Sequence, residues 1–134
     1  MTSKVTYLGN LRTENVHIKS GSTFVTDAPL DNNGKGEAFS PTDTVANGLA
    51  CCMLTVMGIK ARDLKVVMDG TTAEVTKFMA DKPRRISKIE VILNLPFKSD
   101  NKTQKILEHT AKTCPVLLSL HPDIEKNITF NWNG

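Results

Sequence analysis

Residues 40–60, SPTDTVANGLACCMLTVMGIK, constrain the fold more than any other stretch. They read as one long helix. Ser40 is a good N-cap, Pro41 suits the first helical position, and Asp43 stands three residues after the cap, as in a capping box with Asp in place of Glu. Val45, Leu49, Cys52, Met53, Val56 and Met57 then recur at three- and four-residue steps. Ala46, Gly48, Ala50 and Cys51 leave little polar surface between them. A helix apolar nearly all round belongs in a core, so the rest of the chain is expected to wrap it. The small residues at 46, 48 and 50 let other backbone approach closely. Cys51 and Cys52 lie in its middle, and the third cysteine, Cys114, precedes Pro115 at a second helix start.

Around this helix the chain alternates. Short strands are expected over residues 6–12, 15–20 and 23–27, with Lys19-Ser20-Gly21-Ser22 as a turn joining strands near 11–19 and 22–27. Residues 28–39, APLDNNGKGEAF, form a loop rich in glycine and asparagine. After the helix, residues 63–80 alternate in the β manner, and Asp81-Lys82-Pro83 is a turn. Residues 85–97, RISKIEVILNLPF, place Ile86, Ile89, Val91, Leu93 and Leu95 in strong alternation, and Pro96 ends the strand or puts it at an edge. Residues 99–113 are helical behind Ser99 or Asp100. A short helix spans 115–120 with Thr113 or Cys114 at its cap, and a last strand spans 124–132. The order β-β-β-α-β-β-α-α-β is that of an α+β protein with antiparallel sheets.

At 134 residues the chain is expected to be one domain, residues 1–134. The net charge of +3 is mild and its 17 basic residues are scattered, so no nucleic-acid footprint is expected; KPRR at 82–85 reads as a hairpin turn. No run of about 18 apolar residues exists, which argues against a membrane partner. MTSKVTYLGN lacks the apolar core of a signal peptide, so the expected compartment is the cytoplasm, where thiols stay reduced. His17, His109 and His121 have no ligand spacing with the cysteines, and Gly34-Lys35-Gly36 lacks the spacing of a phosphate loop, so neither a metal nor a cofactor is expected. The methionines at 53, 57, 68 and 79 read as core filler.

The central helix resembles that of the OsmC/Ohr family of organic hydroperoxide reductases. Ser40-Pro41, the apolar and small positions 45–50, and Cys52 twelve residues after the serine match the family's (N/S)-P helix with its cysteine. Cys114-Pro115 with Val116, Ser119 and Leu120 is a second match, and Arg12 upstream of the Gly21 turn is a third. The resemblance implies an intertwined homodimer, with two long central helices wrapped by sheets from both chains and active sites at the subunit interface. It implies reduction of an organic hydroperoxide by a reactive cysteine, a disulfide to a second cysteine, and recovery by a dithiol reductant.

The candidate residues follow. The nucleophile is a thiolate, and by the resemblance it is Cys52. Mid-helix, Cys52 has no helix N-terminus to stabilise it, so a cation is needed. By the resemblance that cation is Arg12, whose planar fork can hold a thiolate and a peroxide oxygen. The family's supporting carboxylate falls here at Thr42, with Asp43 next to it and Glu37 as a second substitute. By the resemblance Cys114 is the resolving thiol, and its place at a helix start is expected to lower its pKa. Cys51 points about 100° away from Cys52 on the helix and is assigned to packing. The apolar neighbours Leu49, Met53, Val56, Val116 and Leu117 favour an organic substrate. A second function fits the same sequence, that of a non-catalytic OsmC-like dimer binding a small apolar molecule at its interface.

Overall fold

Two three-stranded sheets and one long helix organise the computed structural model, which describes residues 1–133. The chain divides into two units, Met1–Val45 and Ala46–Gly134.

In the first unit β1 (Ser3–Gly9), β2 (Arg12–His17) and β3 (Thr23–Asp27) form an antiparallel sheet in that order. The hairpin of β2 and β3 is the expected one. The expected strand over 6–12 is corrected, because the chain turns inside it. Gly9, Asn10 and Leu11 all take positive φ (86°, 55° and 63°), which glycine and asparagine tolerate and an extended strand forbids. The loop that follows is tied by its own backbone. Gly34 N–H donates to Pro29 O at 2.9 Å and Gly36 N–H to Ala28 O at 3.1 Å. A Cβ at Gly34 would stand 1.7 Å from Ala28 O, so glycine alone fits this close approach.

Helix α1 (Pro41–Asp63) starts in the first unit and supplies the core of the second. The capping box forms as expected. Ser40 N–H donates to Asp43 Oδ2 at 2.9 Å, and Asp43 N–H donates to Ser40 Oγ at 3.0 Å. One stripe of the helix, Ala46, Leu49, Ala50, Met53, Met57 and Ala61, is buried. The expectation of burial nearly all round is corrected for the single chain: Val45 (41 % exposed), Cys51 and Ile59 (56 % exposed) form an open stripe opposite the core. By length and composition α1 is apolar enough to cross a membrane, with mean hydropathy 1.4. The same apolarity serves a core helix here.

The expected β-structure from residue 63 onward begins later. The helix runs to Asp63 and closes by a Schellman motif, in which Val66 N–H donates to Ala61 O at 2.8 Å, Lys65 N–H donates to Arg62 O, and Lys65 takes φ of 57°. β4 (Thr72–Ala80) and β5 (Arg85–Leu95) make an antiparallel hairpin, and β6 (Glu125–Trp132) joins β5 on its other side. β5 is therefore central, and it stops before Pro96. Ile89, Val91, Leu93 and Leu95 line one face of it at 0 % exposure and meet the α1 stripe in the core.

β6 pairs with β5 in parallel, which departs from the purely antiparallel expectation. Parallel neighbours need a crossover of a dozen residues or more. Here α2 (Asn101–Ala111) and α3 (Pro115–Ser119) provide it. Asp100 caps α2 by accepting from Thr103 N–H at 2.8 Å, the Thr103 hydroxyl and then this amide lower its pKa, and Leu107 and Ala111 face the core.

Candidate functional site

Position 114 is fixed by three local features. Pro115 presets the first helical φ of α3, Cys114 takes the extended conformation of an N-cap, and its Sγ accepts from Leu117 N–H at 3.4 Å. This residue has 0 % exposure. Cys52, on the flank of the buried α1 stripe, packs against the same core and is half-buried. The two thiols meet, since the side chain of Cys52 interacts with that of Cys114. Cys51 lies on the exposed stripe, where Asn47 Nδ2 donates to its sulfur at 3.5 Å.

The Cys114 thiol is pushed up from its ordinary pKa, first by burial. The Leu117 and Val116 N–H groups pull the other way, and the neighbouring Cys52 thiol adds to the rise. The expectation of a lowered value is thus corrected. The helix-start donors are present, but the loss of water around the sulfur outweighs them. Cys114 is held as a protonated thiol against Cys52.

A cavity of about 310 Å³ lies between α1 and the end of α2, lined by Val56, Ile59, Lys60, Asp63, Thr110 and Thr113, with neither Cys52 nor Cys114 in its wall among the described residues. Val56 stands one helical turn beyond Cys52, and Thr113 precedes Cys114. The α1 side of the lining carries the apolar Val56 and Ile59 and the charged Lys60 and Asp63, and Thr110 of α2 with Thr113 beyond it adds two hydroxyls.

The other candidates belong to the first unit. Arg12 opens β2, and its Nη1 stands 3.8 Å from Glu37 Oε2 in the loop before α1. The ion pair found for Arg12 is thus with Glu37, the second of the two carboxylates considered. The first, Asp43, closes the helix cap through Ser40. Thr42 Oγ1 lies 3.2 Å from Ser40 Oγ in the same cap.

Asp27 was not singled out from the sequence. It ends β3 directly opposite Arg12. Its side chain is 1 % exposed, and Oδ2 accepts from Glu37 N–H at 3.0 Å. Its Oδ1 and the Nε of Arg12 are both buried without a hydrogen-bond partner among the described residues. Each such orphan costs about 1–3 kcal/mol, so two of them on one cross-strand pair call for a reason. An acid at a strand end reads as a turn residue in sequence. Only the hairpin register sets it against the arginine.

A long, mostly apolar core helix, two small sheets and a pair of cysteines, one buried and one half-buried, define an α+β protein with interacting thiols. The chain belongs to the OsmC family, since the profile of OsmC-like proteins matches residues 34–129. A solved structure from Psychrobacter arcticus 273-4, named for osmotic stress induction and detoxification response, is 55 % identical to this chain. It covers 98 % of this chain and 96 % of its own, with a TM-score of 0.95. An organic hydroperoxide resistance protein from Elizabethkingia anophelis shares the fold at 17 % identity, covering 98 % and 96 % with a TM-score of 0.75. So does the organic hydroperoxide resistance protein OsmC of Legionella pneumophila, at 16 % identity, 97 % and 95 % coverage and a TM-score of 0.71. No curated protein matches the chain.

Proposed function

We propose that the protein reduces organic hydroperoxides through Cys52 and Cys114. The observation that carries the reading is the meeting of these two thiols, one half-buried and one fully buried. Family membership and relatives named for hydroperoxide resistance support it.

In the proposed reaction the Cys52 thiolate attacks the terminal oxygen of R–O–O–H. The O–O bond breaks, the alkoxide takes a proton and leaves as an alcohol, and Cys52 becomes a sulfenic acid. The Cys114 sulfur then attacks the Cys52 sulfur. The S–S bond forms, and the sulfenic hydroxyl leaves as water with the proton that Cys114 carried. A dithiol reductant restores both thiols and is itself oxidised to a disulfide. Arg12 is the proposed cation for the thiolate and the peroxide, with Glu37 as the carboxylate that orients it. The apolar neighbours packed with Cys52 against the core, Val56, Val116 and Leu117, support an organic substrate tail over hydrogen peroxide. The exposed apolar stripe of Val45 and Ile59 supports a homodimer that covers it, and the reduced thiols suit the cytoplasm.

The test is to treat the reduced protein with one equivalent of cumene hydroperoxide for seconds and map its thiols by mass spectrometry. A rapid Cys52–Cys114 disulfide, lost in Cys52→Ser, is the expected result. Thiols that stay reduced refute the peroxidase reading and leave the apolar-ligand dimer.

A further inference from the structure

The pairing of β2 with β3 sets Arg12 directly opposite Asp27. Directly opposed residues of an antiparallel pair carry their side chains on one face, with Cβ atoms about 5 Å apart. These two side chains share a complementary defect. Among the described residues Asp27 Oδ1 is a buried acceptor without a donor, and Arg12 Nε is a buried donor without an acceptor. The other links around them are made. Asp27 Oδ2 accepts from Glu37 N–H at 3.0 Å, and the Glu37 carboxylate meets Arg12 Nη1 at 3.8 Å. Asp27, Glu37 and Arg12 thus form a ring open at a single link, Nε to Oδ1.

We infer that Asp27 is a positioning residue for Arg12. A small rotation of the Arg12 side chain closes the ring. Nε–H then donates to Asp27 Oδ1 while Nη1 keeps Glu37, and the Nη2 donors remain for an anion. The guanidinium plane is held from two edges. Glu37 alone, with a side chain 58 % exposed, holds it from one edge at a distance longer than a hydrogen bond. The buried carboxyl also holds the amide of Glu37, so one group sets both the arginine and the acid that pairs with it. This inference rests on the proposed role of Arg12 as the anion-binding cation and adds the group that aims it.

The experiment measures solvent exchange of the Arg12 Nε–H by nitrogen-15 NMR in the full-length protein, with the signal assigned by its loss in Arg12→Lys. Asp27→Asn keeps one oxygen to accept from Glu37 N–H, so the loop tether survives, but it turns an amide donor toward Nε–H. Exchange is expected to speed up about tenfold in Asp27→Asn. The rate of Cys52 oxidation by cumene hydroperoxide is expected to fall by a similar factor. Glu37→Gln, at an exposed position where folding is not at risk, is expected to leave the Nε–H protection in place. Unchanged exchange in Asp27→Asn, or protection lost in Glu37→Gln, overturns the inference and leaves Asp27 a loop tether. If the wild-type thiols do not react with peroxide, the peroxidase reading fails, and the exchange comparison still decides the role of Asp27.

Discussion

Replacing Cys114 separates its chemical role from its structural one. The sulfur does two structural jobs. It fills a site of 0 % exposure, and it caps α3 by accepting from Leu117 N–H at 3.4 Å. Serine keeps the acceptor and is a preferred N-cap, a gain of up to about 1 kcal/mol over a weak sulfur cap. It gives up the apolar burial of one sulfur, about 0.8 kcal/mol if counted as a methylene. These nearly cancel, so Cys114→Ser is expected to lie within about 1 kcal/mol of wild type. Alanine loses both, and Cys114→Ala is expected to be less stable than wild type by about 1.5–3 kcal/mol. Both variants lack the proposed resolving thiol. After one equivalent of hydroperoxide each should hold Cys52 as a sulfenic acid, trapped with dimedone and seen by mass spectrometry, with no intramolecular disulfide. Urea midpoints give the stability order. Alanine as stable as serine refutes the capping argument. A Cys51–Cys52 disulfide in either variant refutes the assignment of Cys51 to packing.

Three further outcomes follow from the geometry. The buried Cys114 keeps its proton to higher pH than it does in the unfolded chain, whose cysteines titrate near about 8.5. Its contribution to stability is therefore full below that pH and is lost as pH rises through the folded value. The urea midpoint of wild type should fall toward or below that of Cys114→Ser above about pH 8.5, and parallel curves would refute this. Asp43→Ala removes the acceptor of Ser40 N–H and should cost about 1 kcal/mol, a fall in Tm of about 3–5 °C. Asp43→Asn should largely restore it, and calorimetry decides. With iodoacetamide the buried Cys114 should label last of the three cysteines, as read by peptide mapping; Cys114 labelling ahead of Cys52 would contradict its burial.

The order of elements was legible because period and caps agreed along the chain. Ser40, Pro41 and Asp43 announced α1, and the alternation from Ile89 to Leu95 announced β5. What the sequence hid has physical reasons. The end of α1 carries neither Gly nor Pro. Lys65 takes the left-handed position that glycine usually fills, so the helix and the following strand ran together in the reading. The turn at Gly9–Leu11 hid in the same way, because Leu11 sits at positive φ without a sequence mark. The parallel partner of β5 could have been inferred from the two helices between β5 and β6. In the candidate site, Cys52 and Cys114 were singled out by the family resemblance, and the structure sets their side chains in interaction. The sign of the Cys114 shift was not, because burial is a property of the fold and outweighs the local helix start. Asp27 was hidden for a related reason. Its meaning lies in register, and the expected hairpin of strands near 11–19 and 22–27 already contained that register.

The parallel placement of β6 also bears on how the chain comes to its native state. α1 and the β4–β5 hairpin are local and close short loops. β6 must close the whole crossover before it can pair, an entropic cost met only when α2 and α3 are in place. Cys114 lies inside that crossover. During synthesis Cys52 emerges first, on a helix whose apolar stripe has yet to receive α2 and α3. An oxidant acting on a nascent chain that has not yet reached residue 114 meets Cys51 and Cys52 without Cys114.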